Sequence, residues 1–178
     1  VQDLLDVTRM EGGKLQFTYA SFEFVPFIME VVEQMQMTTT KQLEIESRIE
    51  PSLSIYSDRD RTAQVLINIL TNAIKYTPEK GQVTISARQT QNMVEVSVTD
   101  TGIGMSAEKV RSLFTDTDFS SADGTNAEKG SGLGLLLVRE FVVQHGGWVS
   151  VESEPGKGTC FCFTIPANTF EKQAQAVT

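Results

Sequence analysis

The chain has 178 residues, 40% of them hydrophobic, which is enough for the core of one domain. Fifteen Lys and Arg against 23 Asp and Glu give a net charge of −8, which argues against a non-specific nucleic-acid or membrane binder, because such proteins need clustered positive charge. No stretch of about 18 apolar residues predicts a membrane span, and no signal-peptide pattern opens the sequence.

The first half of the chain alternates between helical and extended patterns. Residues 1–10 carry apolar side chains at helical spacing, and Gly12 and Gly13 predict the end of that helix. An extended segment follows, and Pro26 then opens a second helix, because proline suits a first helical turn. Next come two strands and a long helix that Pro78 stops. The predicted ranges are 15–24 (extended), 43–49 and 53–56 (strands) and 58–76 (helix).

The second half begins with alternating apolar residues that predict a hairpin, and Ser106 then predicts the cap of a short helix. Residues 115–131 have little to bury, and so long a polar stretch indicates a lid, a binding loop or disorder. One more helix and two closing strands complete an α/β two-layer sandwich, with helices on one face of a mixed sheet. The predicted ranges are 82–90 and 93–100 (hairpin), 133–145 (helix), and 148–152 and 158–165 (strands).

Two cysteines, Cys160 and Cys162, lie two residues apart in a predicted strand, so their side chains share one face. Two ligands at this spacing do not make a zinc site, and no disulfide framework is indicated. We predict buried, reduced thiols, which is compatible with a cytoplasmic location.

The helix over residues 58–76 carries a polar row beside its apolar stripe. Asn68, Asn72 and Lys75 follow one another at one-turn spacing. Asparagine is a mediocre helix former, and its amide oxygen suits Mg²⁺, a hard ion that takes few protein ligands beside phosphates. Lys75 can meet a phosphate as a point charge. The alternative interpretation of this row is an ordinary solvated helix face.

A second motif, from Asp100 to Gly104, ends the predicted hairpin with the sequence Asp-Thr-Gly-Ile-Gly. The two glycines let the backbone approach a ligand closely, and an ionised Asp accepts hydrogen bonds only, which suits the exocyclic amine of adenine. An ordinary Asp-Thr-Gly turn remains the alternative.

Two further glycine motifs flank the last predicted helix. Gly130, Gly132 and Gly134 precede its apolar part, where free N–H groups and the helix dipole attract phosphate. Their spacing is neither that of a P-loop nor that of the Rossmann fingerprint, and their position after a long polar loop favours a hinged lid. Residues 156–159, Gly-Lys-Gly-Thr, have an adequate explanation as a β-turn.

Taken in order, these segments resemble the ATP-binding domain of sensor histidine kinases, within the Bergerat-type group shared with gyrase, MutL-type repair proteins and some chaperones. Residues 68–78 resemble the N box, 100–104 the first glycine box, 113–119 the F box, 130–134 the second glycine box and 156–159 the third. The F-box segment departs from the family because no proline separates Phe114 from Phe119.

The resemblance implies a role for each matching residue. Asn72 would hold Mg²⁺, Asn68 would support the metal or its waters, and Lys75 would touch phosphate. Asp100 would bind the adenine amine. The other residues that the resemblance places in nucleotide binding are Tyr76, Gly102, Ile103, Gly104, Gly130, Gly132, Leu133, Gly134 and Thr159.

The family also implies a division of the chain and its partners. Residues 1–13 would end a dimerisation-domain helix, 14–166 would form the catalytic domain, and 167–178 would be a flexible tail. The sole histidine, His145, follows a predicted helix, matches a non-catalytic family position and is predicted to be structural. The phosphoacceptor histidine would lie on the dimerisation domain of a homodimeric parent, which would act on a response regulator receiver domain. This part of the parent would be cytoplasmic, whether or not the parent is anchored in a membrane.

Two other functions stay open at this point. An ATP-hydrolysing member of the group should carry a Glu in the N-box helix to activate water, and none occurs between Asp60 and Pro78. A nucleotide-sensing scaffold would bind ATP without transferring phosphate, and the intact motifs argue only weakly against it.

Overall fold

The chain folds into alternating strands and helices. The computed structural model describes residues 16–114 and 133–167. The predicted elements within these ranges are present, with ends that differ by a few residues. In chain order they are β1 (Tyr19–Glu23), α1 (Phe24–Thr38), β2 (Glu44–Ile49), β3 (Ser54–Asp58), α2 (Arg59–Tyr76), β4 (Gln82–Thr90), β5 (Met93–Asp100), α3 (Ala107–Ser112), α4 (Leu133–Gln144), β6 (Val149–Glu154) and β7 (Gly158–Pro166).

Within the described residues, five strands form the mixed sheet that the sequence predicts, in the order β2-β4-β5-β7-β6. Strands β2 and β4 pair in parallel, and the other neighbours in this order are antiparallel. Alternation along the strands gives the sheet one apolar face, which α1, α2 and α4 cover. This arrangement confirms the two-layer α/β sandwich.

The core lies between that face and the helices. The apolar stripe of α2 is buried, as the pattern predicts, and α4 packs beside α2. The buried residues include Leu66, Ile69, Leu70 and Ala73 of α2, Leu137, Val138 and Phe141 of α4, Val94, Val96 and Val98 of β5, and Phe161, Phe163 and Ile165 of β7.

A separate two-stranded sheet, β1 with β3, joins the start of the described chain to α2. Asp58, the last residue of β3, caps α2 because its Oδ1 accepts a hydrogen bond from the Arg61 N–H at 3.0 Å. Its Oδ2 accepts a second one from the Thr18 N–H at 2.7 Å. One carboxylate therefore fixes both the entry of the chain and the beginning of the helix.

The prediction of buried cysteines is wrong. Cys160 and Cys162 are free thiols, but both are only partly buried. Phe161 and Phe163 occupy the core face of β7, so the cysteines lie on the opposite face of the sheet. Partial burial still raises the pKa of the Cys162 thiol to about 11, with the nearby Glu95 carboxylate adding to the effect.

Several sequence predictions lie outside the described residues: the helix within residues 1–13, the loop 115–131, and the tail apart from Ala167. Ala167 is buried and forms a bridge with Ile55. Among the helices of the described part of the chain, none is long and apolar enough to cross a membrane.

Candidate functional site

The polar row of α2 lies between the core and solvent. Asn68, Asn72, Lys75 and Tyr76 are all partly buried. Asn68 donates a hydrogen bond from Nδ2 to the carbonyl oxygen of Gly134 at 3.3 Å, so it ties α2 to the first turn of α4. The sequence did not predict this contact. It makes the Asn68 side chain a link between the N box and the end of the second glycine box.

Asn72 differs from Asn68 in its surroundings. Its side chain makes no hydrogen bond to any residue of the described ranges. Lys75, one turn nearer the end of the helix, places its Nζ 5.2 Å from the centre of the Tyr76 ring. An amide oxygen and an ammonium group therefore lie on one side of α2, where they suit a metal ion and a phosphate respectively.

Asp100 lies at the end of β5 and is 4% exposed. Its Oδ1 accepts hydrogen bonds from the Gly102 N–H at 2.8 Å and the Thr159 N–H at 3.3 Å. Its Oδ2 has no hydrogen-bond partner within residues 16–114 and 133–167. Burial raises the pKa of this carboxyl group, and the two backbone donors lower it by less. A buried acceptor with an unused oxygen fits a ligand that donates, such as an amine.

The first glycine box packs against the C-terminal end of α2. The Ile103 N–H donates to the carbonyl oxygen of Tyr76 at 3.1 Å. A Cβ atom on Gly102 would lie 2.5 Å from that same oxygen, so the close approach requires glycine. The side chain of Ile103 is 47% exposed and offers an apolar surface three residues after Asp100.

Ser153 joins three segments of the site, and sequence reasoning missed it. Its Oγ accepts a hydrogen bond from the Met105 N–H at 2.8 Å and contacts the carbonyl oxygen of Gly158 at 2.8 Å and Thr159 Oγ1 at 2.9 Å. Gly156 adds a backbone bond to the Ile103 carbonyl oxygen at 2.7 Å. The first and third glycine boxes are therefore one connected unit around Asp100.

His145 lies away from this unit, at the far end of α4. It is 7% exposed, its Nε2 accepts a hydrogen bond from the Asp58 N–H at 3.2 Å, and its Nδ1 contacts the carbonyl oxygen of Phe141. Both ring nitrogens have partners within the fold, which supports the structural role predicted for this residue.

The family model described as histidine kinase-, DNA gyrase B-, and HSP90-like ATPase matches residues 57–169. The chain belongs to this family. Its matched region contains every residue named above in the site, from Asn68 to Thr159.

The curated relatives to which the chain is similar include sensor histidine kinases. The chain is 39% identical over 170 residues to the adaptive-response sensory kinase SasA of Thermosynechococcus vestitus, covering 93% of this chain and 44% of that protein. It is 34% identical over 171 residues to the sensor histidine kinase WalK of Bacillus subtilis, covering 93% of this chain and 28% of that protein. The chain thus spans less than half the length of these relatives and corresponds to their catalytic ATP-binding part.

Solved structures agree with that assignment. The catalytic domain of histidine kinase ThkA has a TM-score of 0.72 at 29% identity, covering 84% of this chain and 96% of that one. Full-length ShkA, solved in complex with AMPPNP, has a TM-score of 0.78 at 29% identity, covering 93% of this chain and 34% of that one. The fold predicted from the sequence is therefore that of a histidine kinase catalytic domain, and ATP is the ligand of this ATPase family.

The structure assembles most of the predicted ATP site. Four of the predicted residues lie in the C-terminal half of α2: Asn68, Asn72, Lys75 and Tyr76. The adjoining wall is formed by Asp100, Gly102, Ile103, Gly104 and Thr159. Gly134 is in the first turn of α4, which begins at Leu133. Gly130 and Gly132 lie outside the described residues.

A matched pair of glycines tests how tightly the wall is packed. Gly104 and Gly156 both have a left-handed backbone, with φ of 66° and 77°, but a Cβ on Gly104 would lie 2.0 Å from the Glu154 carbonyl oxygen, whereas one on Gly156 meets nothing within 4 Å. Gly156→Ala should lower the free energy of unfolding by about 1–2 kcal/mol, which is the strain of an alanine held in the left-handed conformation. Gly104→Ala should cost about 3 kcal/mol or more, because the backbone must also shift.

Urea denaturation of both variants measures this difference. Equal losses of unfolding free energy would contradict the close contact between the first glycine box and β6.

Proposed function

We propose that this chain binds Mg-ATP and donates the γ-phosphate to a histidine on a separate dimerisation and phosphoacceptor domain, as part of a two-component signal transduction kinase. The observation that carries the proposal is that Oδ2 of the buried Asp100 has no hydrogen-bond partner among the described residues, while the Ile103 side chain of the same motif is exposed. An acceptor next to an apolar surface matches adenine, which has an exocyclic amine on a flat apolar ring.

The phosphates would extend from this wall toward α2. Asn72 would hold Mg²⁺ through its amide oxygen, because a hard cation that keeps most of its waters needs few protein ligands. Lys75 would neutralise phosphate charge, and Gly134 with the preceding glycines would offer backbone N–H groups at the beginning of α4. Phosphoryl transfer mainly requires positioning and charge neutralisation, so these groups suffice without a covalent catalyst.

The acceptor histidine must be supplied by another domain or another chain. The only histidine here is His145, which is buried and bonded through both ring nitrogens. The proposed partners are therefore the dimerisation and phosphoacceptor domain of a homodimeric parent protein and, downstream, a response regulator receiver domain. We place this part of the parent on the cytoplasmic side, where ATP is available.

Hydrolysis of ATP by water is the less supported alternative. The gyrase-like members that hydrolyse ATP use a Glu in the N-box helix, and α2 contains no Glu between Asp60 and Pro78. The imidazole of an incoming histidine is itself a nucleophile, so transfer to histidine needs no general base at that position.

Asn72→Ala should remove the magnesium-dependent part of ATP affinity, because it deletes the only metal ligand that we assign to the protein. In the presence of excess Mg²⁺, the dissociation constant for ATP should rise by about 10-fold or more. With the metal chelated, the variant and the unaltered chain should bind ATP equally. Calorimetric titration with and without a chelator measures both quantities.

Thr71→Ala is the matched control, since Thr71 is the exposed neighbour of Asn72 on the same helix. It should bind ATP as the unaltered chain does under both conditions. An Asn72→Ala variant that keeps its magnesium-dependent affinity would contradict the metal assignment. Failure of the unaltered chain to bind ATP at all would contradict the proposed function.

A further inference from the structure

Lys41 lies in the segment between α1 and β2, outside every motif that the sequence analysis singled out. Its Nζ donates hydrogen bonds to three carbonyl oxygens at the end of α2: Ile74 at 3.0 Å, Lys75 at 2.7 Å and Thr77 at 3.1 Å. An ammonium group has three protons, so all of its donors are used. The cation also lies at the negative end of the helix dipole.

These contacts complete the hydrogen bonding of the helix end. The last four carbonyl groups of a helix have no partners within it. The Ala73 carbonyl oxygen accepts from the N–H and the hydroxyl of Thr77. Lys41 donates to the next two carbonyl oxygens, those of Ile74 and Lys75, and the Tyr76 carbonyl oxygen accepts from the Ile103 N–H. Lys41 is therefore the group from outside the helix that holds the peptide units on either side of the Tyr76–Ile103 contact.

The backbone that carries Lys41 is itself fixed against the loop that follows α2. The Gln42 N–H donates to Glu79 Oε2 at 2.9 Å, the Lys80 N–H donates to the Gln42 carbonyl oxygen at 2.8 Å, and the Glu44 N–H donates to the Gly81 carbonyl oxygen at 3.0 Å. The ammonium group is thus a rigidly placed cap and differs from a mobile surface charge.

We propose that Lys41 is a positioning residue of the nucleotide site and acts by fixing the C-terminal end of α2. The Tyr76 carbonyl oxygen is then held where it accepts from the Ile103 N–H, and this contact keeps the adjoining wall from Asp100 to Gly104 in place. This inference rests on the proposed function, because it assigns the adenine to that wall. It predicts an effect on the adenosine part of the ligand, whereas a phosphate-binding lysine would act on the phosphates.

Lys41→Met should weaken binding of ATP, ADP and adenosine by a similar factor, about 10-fold. The reason is that the end of α2 loses three hydrogen bonds and no longer holds the adjoining wall in place. Lys41→Arg keeps a cation with several donors and should restore affinity to within about 3-fold of the unaltered chain. Calorimetry serves for the nucleotides, and chemical-shift titration by NMR serves for adenosine. Hydrogen exchange of the Ile103 N–H gives a local readout without any ligand, and it should be faster in Lys41→Met.

Ile28→Val is the control for a general loss of stability, because Ile28 is a fully buried residue of α1 and loses only one methylene. It should lower the unfolding temperature without changing adenosine affinity, and any faster exchange at Ile103 should match its global loss of stability. Arg48→Met controls for the loss of a positive charge, since Arg48 is exposed and pairs only with Glu46 within the described residues.

Unchanged Ile103 exchange in Lys41→Met, or equal adenosine affinity, would overturn the role of Lys41. A loss confined to ATP and ADP, with adenosine binding intact, would overturn it as well and would make Lys41 a phosphate contact. If the unaltered chain binds neither ATP nor adenosine, the proposed function fails, and the exchange rate of Ile103 still decides whether Lys41 fixes the wall.

Discussion

Asp100→Asn is expected to weaken ATP binding by about 100-fold and to invert the preference between ATP and inosine triphosphate. The carboxylate Oδ1 already accepts from the Gly102 and Thr159 N–H groups, so we expect Oδ2 to be the oxygen that accepts from the ligand. In the variant, the amide oxygen should keep the two backbone donors, and the amide NH₂ should face the base. That NH₂ would oppose the donating amine of adenine but would complement the carbonyl oxygen of hypoxanthine.

Competition titrations of ATP, ADP and inosine triphosphate measure this effect. ATP and ADP should lose affinity equally, since the change acts on the base, and the ratio of ATP to inosine triphosphate affinity should fall by more than about 10-fold. The variant should remain folded at pH 7, because burial raises the pKa of Asp100 and the fold therefore disfavours its charged form. Unchanged affinity in a folded variant would remove Asp100 from the site.

The second large effect concerns phosphate transfer: with γ-labelled ATP, this chain alone should take up no label. His145 lies beyond the far end of α4, a helix of 12 residues, and that length places it roughly 18 Å from the proposed phosphate position at the other end. Its ring is 7% exposed, and both nitrogens are engaged with Asp58 and Phe141. Attack needs a nitrogen about 3 Å from the phosphorus and in line with the leaving oxygen.

A separately produced dimerisation and phosphoacceptor domain of the parent protein should accept the label when it is added. The reaction should be slower than in a tethered molecule, because the effective concentration that a linker provides is gone. Acid-labile, base-stable label identifies phosphohistidine on each partner. Asn72→Ala should abolish the labelling, and His145→Gln should leave transfer to the partner intact provided that the variant folds. Label on this chain that His145→Gln removes would overturn the structural assignment of His145.

Local patterns were sufficient for the elements and for much of the proposed site. The hairpin of β4 and β5 was predicted residue by residue, since alternation over eight or nine residues is an unambiguous strand signal. The polar row of α2 and the Asp100 motif were found because spacing alone places Asn72 and Lys75 on one face and puts glycines beside an acceptor. Their roles toward ATP and Mg²⁺ remain predictions.

Contacts between distant segments could not be predicted in this way. The role of Asn68 in supporting a metal stays a prediction, but the hydrogen bond from its Nδ2 to Gly134, 66 residues along the chain, carried no signal in the sequence. Ser153 and Lys41 carried no signal, because a serine before a turn and a lysine in a loop are ordinary residues. The cysteines were expected in the core because thiols are usually buried, but the register of β7 gives the core face to phenylalanines.

The sequence by itself therefore determined the family and the order of helices and strands, and it predicted which residues would bind adenine, phosphate and magnesium. These follow from periodicity and from short motifs, in which neighbouring residues constrain one another directly. Only the tertiary structure decided that one oxygen of the Asp100 carboxylate has no partner in the described part of the chain, that Lys41 caps the end of α2, and that His145 accepts a hydrogen bond from Asp58. Each of these features depends on a hydrogen bond between residues at least 30 positions apart in the chain. Such residues come within hydrogen-bonding distance only after the sheet and the helices have packed together.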